Sequence, residues 1–221
     1  AALTLNLARI LFPFCVPLAR LIKLPAYREN IEGKFVSAGM TDELRVDEFL
    51  AYKFVMAIFF PAFFGLTIGA LIDPIPWYGL IALFLYGLFF PDFWLGGRVK
   101  LRQKEIRLAL PYVMDLLTLS VEAGLDFVAG ISRVVEKSRP SALTEEFGLF
   151  MQELQVGSTP QVALRNLATR VQMKEISSFV ALLIQADELG ASIGPVLRAQ
   201  SELLRTQRFQ AAEKAGAQAA Q

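Results

Sequence analysis

The chain contains no histidine and a single cysteine, Cys15. Without histidine there is no imidazole for a nucleophilic triad, a zinc site or a general base near neutral pH. One cysteine cannot close an intrachain disulfide. No Gly-Lys-Ser/Thr sequence occurs, which excludes a Walker-type phosphate loop. Neither sign of charge dominates: 22 lysines and arginines face 21 acids, so nothing draws the chain toward nucleic acid. No initial methionine and no signal peptide with a cleavage site is present, and the expectation is that residue 1 is not the native N-terminus. Charge itself is missing from residues 54–72 and 74–91. Each run approaches the about 20 apolar residues that carry a helix across a bilayer.

These runs explain why 54% of the chain is hydrophobic, above the about 45–50% usual for a soluble domain. We expect transmembrane helices at 54–72 and 74–95, turning at Asp73-Pro74-Ile75-Pro76. Tyr52 and Lys53 suit one interface, with the lysine amine reaching back to water. Trp77, Tyr78, Phe93 and Trp94 suit the headgroup belts of the second span, and Asp92 its exit. Residues 1–22 are apolar but broken by Arg9, Arg20, Pro13 and Pro17. They read as an interfacial segment or a partial transmembrane one. Residues 23–53 read as a cytoplasmic linker with a short helix capped near Thr41, and with breaks at Gly33 and Gly39. The turn between the spans has no basic residue. Lys23, Arg28, Lys34, Arg45 and Lys53 precede the hairpin, and Arg98, Lys100, Arg102, Lys104 and Arg107 follow it. The positive-inside rule therefore puts both flanks in the cytoplasm. The second flank is expected to face anionic lipid.

Residues 98–216 carry a different pattern. Gly124, Gly157 and Gly190 are spaced 33 residues apart. Two positions after each stands a helix N-cap residue: Asp126, Thr159 and Ser192. A glycine ending one helix and an oxygen side chain opening the next make a helical corner. Apolar stripes between the corners predict six amphipathic helices. The stripes run through Leu108, Val113, Leu116 and Leu117; Val128, Ile131, Val134 and Val135; Leu143, Phe147, Phe150 and Leu154; Val162, Leu164, Leu167 and Val171; Ile176, Phe179, Val180, Leu183, Ile184 and Leu189; and Val196, Leu197, Leu203 and Leu204. The spacing suits either a closed bundle or a helical-repeat solenoid, and the missing Trp, Leu-Gly and Tyr signature of the latter favours the bundle. The fold class is thus all-α, a transmembrane helical hairpin plus a cytoplasmic six-helix bundle of antiparallel helix pairs. Neighbouring carboxylates on a helix diverge by about 100°, so Glu145-Glu146 and Asp187-Glu188 read as solvated faces rather than catalytic or metal-binding pairs. Arg133, Lys137, Arg139, Arg165 and Arg170 read as solvated or as a docking surface for a protein partner. No catalytic, cofactor-binding or metal-ligating residue stands out.

Three segments together resemble a known family: LPYVMDLLTLSVEAGLDFVAGISRVVE (110–136), FMQELQVGSTPQVALRNLATRV (150–171) and SFVALLIQADELGASIGPVLRAQSELLRTQRFQAAEKA (178–215). They are similar to the cytoplasmic domain of the inner-membrane platform proteins of type II secretion and type IV pilus machines. The wording of the last resembles most the second platform subunit of the tight-adherence (Tad) pilus. The resemblance implies a non-enzymatic platform without cofactors. Its implied partners are a cytoplasmic hexameric ATPase, a paralogous platform protein, pilin subunits and membrane lipids, in a homo- or hetero-oligomer. It also implies a further hydrophobic segment after the sixth helix, so residues 217–221 are expected to be a tail truncated before it. Residues 98–110 would then be a lever between bundle and membrane, with Gly96 and Gly97 as its hinge. The rival readings are a membrane-anchored helical adaptor for another cytoplasmic partner and a small-molecule transporter. The spans carry no ionisable residue in their interiors, which weighs against transport.

Overall fold

The computed structural model describes residues 25–40, 45–69, 77–189 and 193–219, and all regular structure among them is α-helical. Eight helices follow one another: α1 (Pro25–Ala38), α2 (Val46–Gly69), α3 (Trp77–Glu122), α4 (Phe127–Lys137), α5 (Ala142–Gln155), α6 (Pro160–Val171), α7 (Lys174–Glu188) and α8 (Ile193–Ala219). The segment 1–22, the Thr41 cap, the Asp73–Pro76 turn and the Gly190 and Ser192 corner lie outside the described residues. Two compact units part between Leu101 and Arg102.

In the first unit, α1 is a packed helix rather than a linker. It runs through Gly33 and ends at Gly39, where φ is +68°. The Met40 N–H bonds to the Phe35 carbonyl and the Gly39 N–H to that of Val36. That pattern closes a helix end with a left-handed residue. Ile31, Phe35 and Met40 pack with Phe49 and Leu50 of α2 and Leu95 of α3. The Phe35 and Phe49 rings meet edge to face at 5.4 Å. The short helix expected after Thr41 and the span expected from residue 54 form one helix that begins at Val46, where this apolar cluster packs it against α1. At its start the Glu48 carboxylate accepts the Arg45 N–H at 3.2 Å, half of a capping box.

Among the described residues two helices are long and apolar enough to cross a membrane: Val46–Thr67, with a mean hydropathy of 1.8, and α3, with 1.6 over its apolar stretch. Only 28% and 17% of those stretches are buried, so neither is sealed inside a protein core. The spans meet where side chains are smallest. Ala57 is fully buried, and a Cβ on Gly87 would lie 2.5 Å from the Met56 carbonyl oxygen. Close backbone approach of this kind holds helices together where lipid replaces water. Phe60 then packs on Tyr86 and Phe90, with centroids 5.3 and 5.8 Å away.

In the second unit, the α3 segment from Arg102 is joined by α4 to α8, with α4–α5, α5–α6, α6–α7 and α7–α8 packed in succession. The core contains Ile106, Leu110, Met114 and Leu117 of α3, with Ile131, Leu143, Phe147, Phe150, Leu167, Phe179, Leu183 and Leu197. Burying one such side chain contributes about 1.5–3 kcal/mol. The sequence pattern placed the first bundle helix after Pro111. Instead α3 is unbroken from Trp77 to Glu122 and contains Pro91, Gly96, Gly97 and Pro111. Its buried stripe runs through Ile106 and Leu110 and leaves Leu108, between them, 55% exposed. Val162, Leu189 and Leu203 also lie outward. At the far end, α8 carries helix through 217–219, which read as tail from the sequence.

Replacing Gly87 by Ala requires the α2 and α3 backbones to separate. The variant is expected to lose about 1–3 kcal/mol of hairpin stability, the usual cost of overpacking. Gly97→Ala, with no atom within 4 Å of the added Cβ, is expected to lose none. Unfolding of the full chain in detergent micelles, followed by tryptophan fluorescence, checks the pair.

Candidate functional site

The corners of the second unit are built from local chemistry. Gly124 and Gly157 have φ of +93° and +97°, where a Cβ would clash with backbone. After each glycine a backbone N–H reaches back five residues: Leu125 to the Ser120 carbonyl at 3.2 Å, and Ser158 to that of Glu153 at 3.0 Å. Asp126 then accepts the Ala129 N–H at 2.9 Å, and Thr159 that of Val162 at 3.4 Å. Pro160 follows as the first residue of α6, where its missing N–H costs nothing. A capping box that sequence reading missed joins Ser141 and Thr144 at the start of α5. The two residues are three apart, but threonine stands where the pattern calls for Glu or Gln.

The polar centre of this unit is Glu146, whose side chain is 3% exposed. It corrects the solvated-face reading of the Glu145-Glu146 pair. Glu146 Oε1 accepts from Arg102 at 3.3 Å and Oε2 from Arg170 Nε at 2.9 Å. Arg102 also reaches the exposed Glu145 at 2.9 Å, and Arg170 also pairs with Glu153. One buried carboxylate thus ties α3, α5 and α6. It could not be seen in sequence because Glu146 differs from Glu145 only in pointing inward. The nearest signal was its place one position before Phe147, beside the buried stripe.

The network reassigns two groups of basic residues. Arg170 is not a docking residue, because its guanidinium is spent inside the unit and its Nη2 is buried without a partner. Arg133, Lys137, Arg139 and Arg165 are exposed and make no ion pair among the described residues. In the expected lipid-facing flank, Arg102 is taken by Glu145 and Glu146, and Arg107 by Glu175 at 2.9 Å. Lys100 and Lys104 are exposed, and Arg98 lies 5.3 Å over the Trp94 ring. Gln103 donates to the carbonyls of Val171 and Gln172, at 3.4 and 3.2 Å. Gln172 is itself left-handed at φ +52°. Glu122 receives Arg198 of α8 at 2.5 Å.

In the first unit a second polar cluster sits at the mouth of the hairpin. The Lys53 ammonium donates to Asp92 at 2.5 Å and to the Tyr27 hydroxyl, which donates to Asp92 at 3.0 Å. Lys53 is 9% exposed. It turns inward to its partners rather than snorkelling to water. Burial pushes the Tyr27 phenol above its ordinary value, against the pull of Lys53. It therefore stays protonated and able to donate.

Among the described residues no cluster of acids and cysteine has metal-ligand geometry, and Asp187 and Glu188 are exposed. Residues 113–220 match the family model of the type II secretion system (T2SS) protein F. This part of the chain is thus similar to that family. The F domain match begins at Val113 inside α3, passes both left-handed glycine corners and ends just after α8. No curated protein and no solved structure matches the chain.

Glu146→Ala is expected to cost about 3–5 kcal/mol, because it strands two guanidiniums in a buried site. Glu145→Ala, exposed and singly paired, should cost no more than about 1 kcal/mol. Chemical denaturation of the full chain measures both. A second outcome concerns Glu175, in the first turn of α7. Burial acts to raise its carboxyl, but its own backbone N–H and Arg107 outweigh this and hold it below the ordinary value. A carboxylate with a depressed folded-state pKa stabilises at a pH above its unfolded pKa, and that contribution is lost as pH falls through the folded value. Glu175→Gln should therefore melt lower than the parent at pH 7. The gap should close in the acid range below about pH 4, as thermal melts across pH will show.

Proposed function

We propose that the chain is an inner-membrane platform protein of a Tad pilus or related type II secretion machine. The observation that carries this reading is an F domain on the same chain as two helices apolar enough to cross a bilayer. The basic residues flanking those helices support a cytoplasmic F domain by the positive-inside rule. The platform docks a cytoplasmic hexameric ATPase, works beside a paralogous platform protein and couples the ATPase to pilin extraction and fibre assembly. Its part is mechanical and not enzymatic.

In this reading Gly96 and Gly97 are the flexible point of α3. Both are helical, with open space where a Cβ would be. Glycine in a helix interior costs about 1 kcal/mol relative to alanine, so the pair lowers the cost of bending there.

Purification of the full-length protein from native membranes should recover the machine's ATPase and the paralogous platform protein together. Recovery of neither refutes the proposal and favours a membrane-anchored adaptor. The Gly96→Ala/Gly97→Ala double variant should insert and bind the ATPase normally yet assemble no fibre. Normal piliation in that strain rules out the hinge.

A further inference from the structure

The α4–α5 loop meets α3 around a cavity of about 490 Å³. Its wall on α3 is Ala109, Tyr112 and Val113, and its opposite wall is Lys137, Ser138 and Arg139. No acidic residue lines it. Lys137 and Arg139 are exposed and make no ion pair among the described residues, unlike Arg102, Arg107, Arg170 and Arg198 of the same unit. The Ser138 hydroxyl is buried and has no hydrogen-bond partner. Outside the cavity, α3 continues the same surface. Lys104, Leu108 and Tyr112 repeat every four residues on one helix face, and all are exposed. Leu108 and Tyr112 keep 55% and 59% of their surface in solvent.

The chemistry of this place is one-sided. Ammonium and guanidinium groups donate and cannot accept. An occupant must supply anionic oxygen. It must also carry apolar surface, for Tyr112 and Val113 form a wall that a free inorganic anion would leave uncovered. A carboxylate side chain on a protein segment with an apolar neighbour meets both demands. Two cations around one carboxylate also give charge-assisted hydrogen bonds, stronger than neutral ones.

We propose that this cavity is where a carboxylate-bearing segment of the cytoplasmic motor subunit docks, its acid between Lys137 and Arg139 and its apolar residue against Tyr112 and Leu108. This rests on the platform reading above and adds to it the face and the chemistry of the contact. Arg133 and Arg165, exposed but outside the cavity lining, are not part of it.

The test measures affinity of the purified ATPase for the full chain in zwitterionic nanodiscs, at low and at moderate salt. Lys137→Glu/Arg139→Glu should bind at least tenfold more weakly than the parent and lose most of the salt dependence. Tyr112→Ser should weaken binding with the salt dependence intact. Arg165→Glu should bind within threefold of the parent. Helical circular dichroism equal to the parent's shows that each variant is folded. Binding by the Lys137/Arg139 variant within threefold of the parent overturns this inference and leaves the platform reading standing. So does an equal loss in Arg165→Glu, since the effect is then general charge. A parent chain that does not bind the ATPase at all overturns both.

Discussion

A single carboxylate inside the second unit fixes how α3, α5 and α6 can pack. Glu146 is almost fully enclosed, and an unpaired charge in such a place would cost several kcal/mol. It is tolerated because α3 and α6 each deliver a guanidinium to it. Ion pairs of this sort add little net stability compared with a well-packed apolar group, yet they are strongly directional. Leucine and phenylalanine contacts would accept α3 in several rotations about its axis. A carboxylate that must face Arg102 on one side and Arg170 on the other accepts only one. The exposed pairs Arg107–Glu175 and Arg198–Glu122 then fasten the same helix to α7 and α8, each worth little alone.

The first unit solves the same problem with different materials. Where α1 covers the mouth of the hairpin, Lys53, Asp92 and Tyr27 satisfy one another in a small polar cluster. Farther along the spans polar groups give way to the Ala57–Gly87 approach and the aromatic ladder of Phe60, Tyr86 and Phe90. Polar partners give direction at the mouth of the hairpin, and small residues give close packing along the apolar helices, as they do where helices associate in lipid.

Most of the helices could be read from periodicity, because stripes such as Ile176–Phe179–Val180–Leu183 have one reading only. The corners were legible for a related reason: glycine followed by a capping oxygen is a local signal and needs no tertiary information. The boundaries that failed were set by distant contacts. Pro111 suggested a helix start, but at that point α3 is already enclosed by the core of the second unit, and packing overrides the proline. Residue 54 marked where charge ends, yet α2 begins at Val46 because α1 supplies an apolar face there. The docking residues divided on the same ground. Arg170 and Arg139 look alike in sequence, and only the fold puts Glu146 and Glu153 beside the first and a cavity beside the second.

The crossing of the two spans limits how they can move. At Gly87 the α2 backbone lies where any side chain would stand. Sliding α3 by one residue along α2 would bring Tyr86 or Leu88 to that point, and neither fits against a carbonyl oxygen. Piston motion of one span past the other is therefore blocked by register, in the manner of a key cut for one lock position. Tilting both spans together needs no such substitution. Any movement of this hairpin is therefore one of the pair and not of one helix against the other.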